Sequence, residues 1–562
     1  MISCILISRL YEVLAYNLAG SIVQSKRKIV MTAARSLVLL ALLTARALAA
    51  TGEAQAQTSQ PSKDSAQAQT SPTYEELMGQ VLELRKENAR LMKELKEEKA
   101  SPSSTDSAQA QTSPPSAEKG EAQAQTSPPS ADILLPIQLL GLQYNGVYQT
   151  ALPFARPYSG PKSFGTKDTD YTQTGGLYLG SQLTQRLQLY VDTEIFKGDG
   201  LSYGTGLSGY VNGDVVRAGS SNLPKAPYPA RVYLRYICPL SPETEKVERC
   251  MDQLPGEQPV SRWEFKLGKL ALTDDFDQNR YANNNRTQFM NYNFLFNTAW
   301  DYAADTRGYT YEALAALYQP KWRLAFGIGM IPNTQNGANF DWVNKGYDMV
   351  SQLGYNLEYD LKPNNYGTVL RFLAFFNEGR MGDYQSALNL AAETGTTPNI
   401  LAVEKIGGTK YGFGFNFEQP LADDGDTGIF GRLGWNDGHH ESWEYVETDR
   451  HASIGVQLSG VHWNRPDDRV GIAYGANGLS NEHKEYLELG GIGMLLGDGT
   501  LHYGYEQTFE VYYSIPVCRW PIFGHDATLT ITPDYQLIVN PGYNTDRGPL
   551  VDVFGLRMRF LW

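Results

Sequence analysis

The chain has 562 residues, with 48 Lys and Arg against 61 Asp and Glu, and its formal charge of −13 leaves no basic footprint for nucleic acid. Aromatic residues make up 12%, with 35 Tyr against 21 Phe, and there are 54 Gly, yet the mean hydropathy is negative. Past residue 50 no stretch approaches the roughly 20 apolar residues of a spanning helix, so a membrane role requires strands.

Lys26, Arg27, Lys28 and Arg35 precede an apolar run from Leu37 to Leu43, and Ala47-Leu48-Ala49 supplies the small-x-small pattern of signal-peptidase cleavage. Residues 1–49 therefore read as a signal-peptide region cleaved after Ala49; uncleaved, the same run would be an anchor. Residues 1–30 hold a second apolar stretch and Cys4 that such a signal does not need, which makes Met31 a candidate start.

Residues 50–73 and 101–133 are rich in Ala, Gln, Ser, Thr and Pro, with Ala-Gln-Ala-Gln-Thr-Ser beginning at Ala54, Ala66, Ala108 and Ala122. Such segments bury too little apolar surface to offset the entropy of ordering and are expected to be flexible linkers. Between them, 74–100 predicts a short coiled-coil helix, with Leu77, Leu84 and Leu91 at d and Tyr74, Val81, Asn88 and Leu95 at a. Asn88 in the seam would fix register, and the seam leans to two strands and to a homo-oligomer. The alternative is a lone charged helix that frays.

From residue 134 to 562 the pattern changes to period two, as in Leu187–Ile195, Trp322–Met330, Leu353–Leu361 and Ala527–Tyr535. About sixteen such segments occur, each near the roughly 9–11 residues that cross a bilayer when tilted. Short connections, such as 362–366 and 419–427, alternate with long ones, near 196–229, 270–307, 331–351, 377–409 and 477–502. That asymmetry and an even strand count predict an all-β fold, an antiparallel transmembrane barrel with its short turns in the periplasm. The last strand places Phe554, Leu556, Met558, Phe560 and Trp562 on one side and Gly555, Arg557 and Arg559 on the other, which in a barrel means lipid outside and water inside.

Of the mature cysteines, Cys238 and Cys250 are close enough in sequence for a disulfide in the oxidising periplasm, leaving Cys518 unpaired. No Cys or His spacing calls for a metal.

Alternation assigns Glu194, Arg231, Arg235, Arg262, Glu264, Lys266, Arg323, Glu358, Arg371, Glu418, Arg432, Glu506, Glu510, Arg557 and Arg559 to the lumen. Arginine beside carboxylate offers paired donors and acceptors to vicinal hydroxyls. The plainer reading is that these charges keep the lumen wet and pin the barrel's shape. The segment from Leu270 to Arg307 is dense in amides, carboxylates and rings, and so many rings predict that it folds into the barrel and narrows it.

Asp274-Asp-Phe-Asp-Gln-Asn-Arg-Tyr281, Arg286-Thr-Gln-Phe-Met-Asn291, Trp300-Asp301, Arg307-Gly-Tyr-Thr310 and Thr532-Pro-Asp-Tyr-Gln-Leu-Ile-Val-Asn-Pro-Gly542 resemble the carbohydrate-selective porin family of Gram-negative outer membranes. The resemblance covers about 135–562. It implies a sixteen-stranded passive sugar channel without cofactor, narrowed by inward loops and charged wall residues. The constriction residues would be Asp274, Asp275, Asp277, Asn279, Arg280, Tyr281, Arg286 and Trp300 from the loop, with Arg235, Arg262, Glu264, Arg323, Arg371, Arg557 and Arg559 from the wall. Small sugars, outer-membrane lipid and lipopolysaccharide are the implied partners, with the barrel-insertion machinery engaging a C-terminal strand that ends in Trp562 where Phe is more usual.

A rival reading makes the protein an envelope organiser that uses its coiled coil as a periplasmic tether. A hydrolase would need a buried nucleophile with an oriented base, and no such set is apparent. Gly204–Gly209 matches G-x-G-x-x-G without a following helix, and His439-His440-Glu441 lacks the i, i+4 pair of a zinc protease. The aspartates at 274, 275 and 277 lack the other positions of a calcium loop, and Asp423-Asp-Gly-Asp426 reads as a polar turn.

Overall fold

The computed structural model describes residues 137–562 apart from 215–222, 224–225, 341–351 and 549. The signal peptide, both linkers and the coiled-coil helix with its seam lie outside the described residues. Among the described residues, eighteen strands follow in chain order. They are β1 (Leu139–Ala151), β2 (Thr169–Gln182), β3 (Leu187–Lys197), β4 (Tyr228–Pro239), the short pair β5 (Thr244–Val247) and β6 (Gly256–Pro259), β7 (Arg262–Leu270), β8 (Thr310–Gln319) and β9 (Trp322–Met330). The second half comprises β10 (Leu353–Leu361), β11 (Val369–Met381), β12 (Lys405–Ala422), β13 (Thr427–Asn436), β14 (Arg450–Ser459), β15 (Arg469–Gly478), β16 (Glu506–Ile522), β17 (His525–Val539) and β18 (Leu550–Leu561).

All but β5 and β6 join one closed antiparallel barrel of sixteen strands, sealed where β1 meets β18 from Gln143 opposite Leu561 to Ala151 opposite Val553. Closure pairs the backbone groups an open edge would expose to lipid. The expected alternation holds: Phe554, Leu556 and Met558 are 45%, 48% and 41% exposed, whereas Arg557 between them is 1% exposed. On β10 the outward residues include Leu357 and Tyr359, and the inward ones are Asn356, Glu358 and Asp360.

Both barrel ends lie on the side of the short turns, which in outer-membrane barrels faces the periplasm. Several of these turns use left-handed residues, as in the two-residue link from β16 to β17, where Phe523 and Gly524 have φ of 48° and 81°. Asp423-Asp-Gly-Asp426 forms the turn from β12 to β13, as expected.

Among the described residues, two short helices lie in the long connections expected to be loops: α1 (Tyr384–Thr394) and α2 (Asn481–Glu488). Their caps were present in the sequence. Asp383 accepts from the Ser386 amide, Gly395 closes α1 at φ 66°, and Ser480 accepts from the His483 amide.

The expected bridge between Cys238 and Cys250 is corrected: Cys238, Cys250 and Cys518 are all free thiols. Cys238 is held in the sheet opposite Trp263, while Cys250 pairs with Gln253 in the connection that follows β4.

Candidate constriction site

The connection 271–309, between β7 and β8, enters the bore and is fastened to inward groups on most of the wall. Asp274 receives Nε and Nη2 of Arg231 at 2.7 and 2.8 Å, a two-pronged guanidinium–carboxylate pair. Asp275 receives Lys266 Nζ at 2.8 Å, and its carbonyl receives Arg323 Nη2 at 2.6 Å. Asp277 takes a left-handed φ of 52°, which aspartate tolerates better than most residues. Its amide donates to Glu358 Oε2 at 2.7 Å while its carboxylate receives Arg432 Nε at 3.0 Å. The three aspartates thus turn to three different cations, so they do not converge on one metal ion.

Further along, Asn279 Nδ2 donates to Asn416 Oδ1 at 2.8 Å, and the Arg280 amide to Glu418 Oε2 at 2.7 Å. Glu418 also receives Arg371 Nη1 at 3.2 Å. Arg286 donates to Glu194 at 2.6 Å and to Asp214 at 2.7 Å. Arg557 Nη1 donates to the carbonyls of Asn285 and Gln288 at 2.7 and 2.8 Å, and Glu510 receives the amide of Asn291 at 3.0 Å. Trp300 Nε1 donates to Asn356 Oδ1 at 2.9 Å.

The rings of this segment form the barrel's internal core. Phe276, Trp300 and Tyr302 belong to one buried cluster, and Tyr281, Phe289 and Phe294 to another with Phe430 and Tyr512 of the wall. Tyr281 and Trp300, expected to line the constriction, are therefore enclosed and present no open face; Tyr281 Oη donates to the carbonyl of Gly425. The segment's remaining contact with water is mostly polar: Arg280 is exposed, Thr273, Asp274, Gln278, 283–288 and Arg307 are half-buried, and Phe296 is the one ring that is not fully enclosed.

The wall charges are likewise committed to partners. Arg235 grips Glu264 through two hydrogen bonds of 2.9 and 2.8 Å, and Arg262 lies 3.3 Å from the same carboxylate. Arg323 reaches Glu358 and Asp360 at 3.1 and 3.2 Å, and Arg559 donates twice to Gln143 Oε1. Glu506 receives the amides of Ser208 and Gly542 at 3.0 and 2.7 Å, tying the connections after β3 and β17 to the bore. Every expected lumen charge faces inward, and most of them position loops.

On the long-loop side, His483 of α2 is buried, stacks on Tyr384 of α1 and places Nδ1 3.0 Å from Asp449 Oδ2. Burial opposes both charges, yet their mutual attraction and hydrogen bond prevail: Asp449 is held down to about 2 and His483 is raised above its ordinary 6.5. Glu447, at 3.8 Å from His483 Nε2, is lowered despite burial by the same histidine. Glu441 is instead pushed up to about 8, chiefly by burial.

Sequence reading missed Asp192, Asp360 and Glu312 on the inner face, although period two from Glu194, Glu358 and Leu314 would have reached each of them. It also missed Asp214 and Asp252, which lie in connections without periodicity and are recognisable only by what they touch: Arg286 and Arg231.

A closed sixteen-stranded barrel with an apolar outer belt, a charged inner wall and an inward segment is an outer-membrane porin. The chain belongs to the carbohydrate-selective porin, OprB family, whose family model matches residues 203–561. Among solved structures it is similar to the high-pH structure of Pseudomonas putida OprB, at 15% identity and a TM-score of 0.54, over 75% of this chain and 94% of that one. The outer membrane channel DcaP of Acinetobacter baumannii matches at 11% identity and a TM-score of 0.39, over 75% and 96%. The first likeness supports the barrel fold. No curated protein matches the chain.

Proposed function

We propose that this porin lets small sugars diffuse passively into the periplasm, with no chemical step and no cofactor. The observation that carries the reading is the composition of the wet surface on 271–309. Its half-buried amides and its Asp274 and Arg286 side chains can exchange hydrogen bonds with hydroxyls, while the apolar rings other than the half-buried Phe296 are enclosed. The paired charges favour a neutral polyhydroxylated solute, because an ion would have to compete with partners already in place. Shallow and repeated contacts suit a channel, which must release what it binds. The family's description points the same way.

Liposomes containing the purified protein should swell faster in mono- and small oligosaccharides than in amino acids of similar size; equal rates would overturn the sugar reading. Self-association through 74–100 and engagement of the insertion machinery by β18 belong to the same proposal. Deleting 74–100 should weaken self-association and leave conductance in place.

A further inference from the structure

The connection 240–261 departs from its neighbours. The other short-side links run 183–186, 320–321, 362–368, 423–426, 460–468 and 523–524, whereas this one carries the β5–β6 hairpin and turns its tip inward. Leu254 at that tip is buried against Leu139, Tyr190, Tyr233 and Leu270, inner residues of β1, β3, β4 and β7. Its amide donates to Tyr190 Oη at 3.2 Å, and Arg235 Nη1 donates to Gln253 Oε1 at 3.1 Å. Arg249 reaches the Leu140 carbonyl of β1 at 2.5 Å. Since β4, β3, β2 and β1 are successive neighbours in the barrel, the connection crosses the inner wall from one end of that run to the other.

It also reaches deep. The connection leaves β4 at Pro239, yet Asp252 approaches Arg231, near the strand's opposite end, at 3.7 Å. Arg231 is thus surrounded by carboxylates from three sources: Asp192 of the wall at 3.3 Å, Asp274 of the long-loop side and Asp252 of the periplasmic side. The Asp252 side chain keeps 28% of its surface in contact with water, and Gln253 is half-buried. Two segments entering from opposite mouths therefore meet at one guanidinium.

The geometry points to a second constriction, on the exit side, in which the 240–261 connection narrows the bore and presents Asp252 and Gln253 to the passing solute beside Arg231. It deepens the channel reading by assigning selectivity to a periplasmic segment as well as to 271–309. Asp252 is the carboxylate farthest from Arg231, and the part of its side chain that meets water beside Asp192 can accept from a hydroxyl or attract a cation.

The test uses full-length protein in planar bilayers, with Cys4→Ser, Cys238→Ser and Cys518→Ser leaving the exposed Cys250 as the thiol two positions from Asp252. A cationic methanethiosulfonate should reduce the current, and react faster from the periplasmic side. Asp252→Lys should shift the reversal potential in a salt gradient towards anions. A short turn in place of 244–258 should raise conductance. If barrels that migrate as folded show the parent's conductance and reversal potential after thiol modification and in Asp252→Lys, the proposal is overturned, whatever the shortened variant does. The readout is ion current without sugar, so it is independent of whether sugars block the channel.

Discussion

Arg432 and Asp277, 155 residues apart in the chain, meet inside the barrel with Nε 3.0 Å from Oδ2, and both are fully buried. The same guanidinium donates to the carbonyls of Phe294, Asp277 and Ala282 at 2.9, 3.1 and 2.6 Å. One wall arginine thereby holds the inward segment at three points, 277, 282 and 294. Arg432→Ala should lower stability by about 3–5 kcal/mol, because it leaves a buried carboxylate without its cation and removes a charged donor from three carbonyls. Urea unfolding in detergent or lipid measures this, and the freed segment should add noise to the single-channel current. Combining Asp277→Asn with Arg432→Met should cost less than the sum of the two single changes.

Arg286 and Arg557 separate charge from scaffold. Arg286 keeps 12% of its side chain in contact with water between Glu194 and Asp214, whereas Arg557 is enclosed and holds two loop carbonyls. Arg286→Gln should shift the reversal potential towards cations, since two carboxylates lose their partner. Arg557→Ala should move it less and instead raise proteolysis near Asn285 to Gln288. Equal shifts in the two variants would contradict this assignment.

Leu556 tests the lipid face. It is 48% exposed on β18 and lies opposite Tyr148 of β1 and Pro533 of β17, within the outward set. Leu556→Arg should destabilise the barrel by about 2–4 kcal/mol if the site lies near the bilayer midplane. Reversible unfolding in lipid vesicles gives the value, and a neutral effect would argue that this face is not against acyl chains.

The pair His483 and Asp449 sets a pH window for the outer loops. A histidine whose folded value is raised contributes fully below its ordinary 6.5, and the contribution is lost as pH rises through the raised value. An aspartate held down contributes fully above its ordinary 3.8 and loses it as pH falls towards about 2. Limited proteolysis of 437–449 and 479–505 should therefore be slowest between those two ordinary values and accelerate on either side. His483→Gln should weaken the alkaline acceleration and leave the part that comes from ionisation of Glu441, whose carboxyl burial pushes up to about 8.

The barrel was legible because its periodicity is local. Leu353–Leu361 and Trp322–Met330 read as strands from alternation alone and have those bounds in the structure. The inward course of 271–309 followed from its rings, which water does not accommodate in such number. The role of those rings did not follow. Trp300 and Tyr281 looked available for stacking, and only the packed bore shows them enclosed by wall residues from distant strands.

What the sequence determined by itself is which side of each strand meets lipid and which meets the lumen, because that choice depends only on the two-residue period of an extended chain. Tertiary structure decided which inward charges remain in contact with water. Asp277 finds Arg432, Asp274 finds Arg231, and Arg286 finds Glu194 through closure of the sheet and the inward turn of one connection. Desolvation makes an unpaired charge costly at any buried site, but the partner that relieves it is set by spatial proximity, which no short-range pattern encodes.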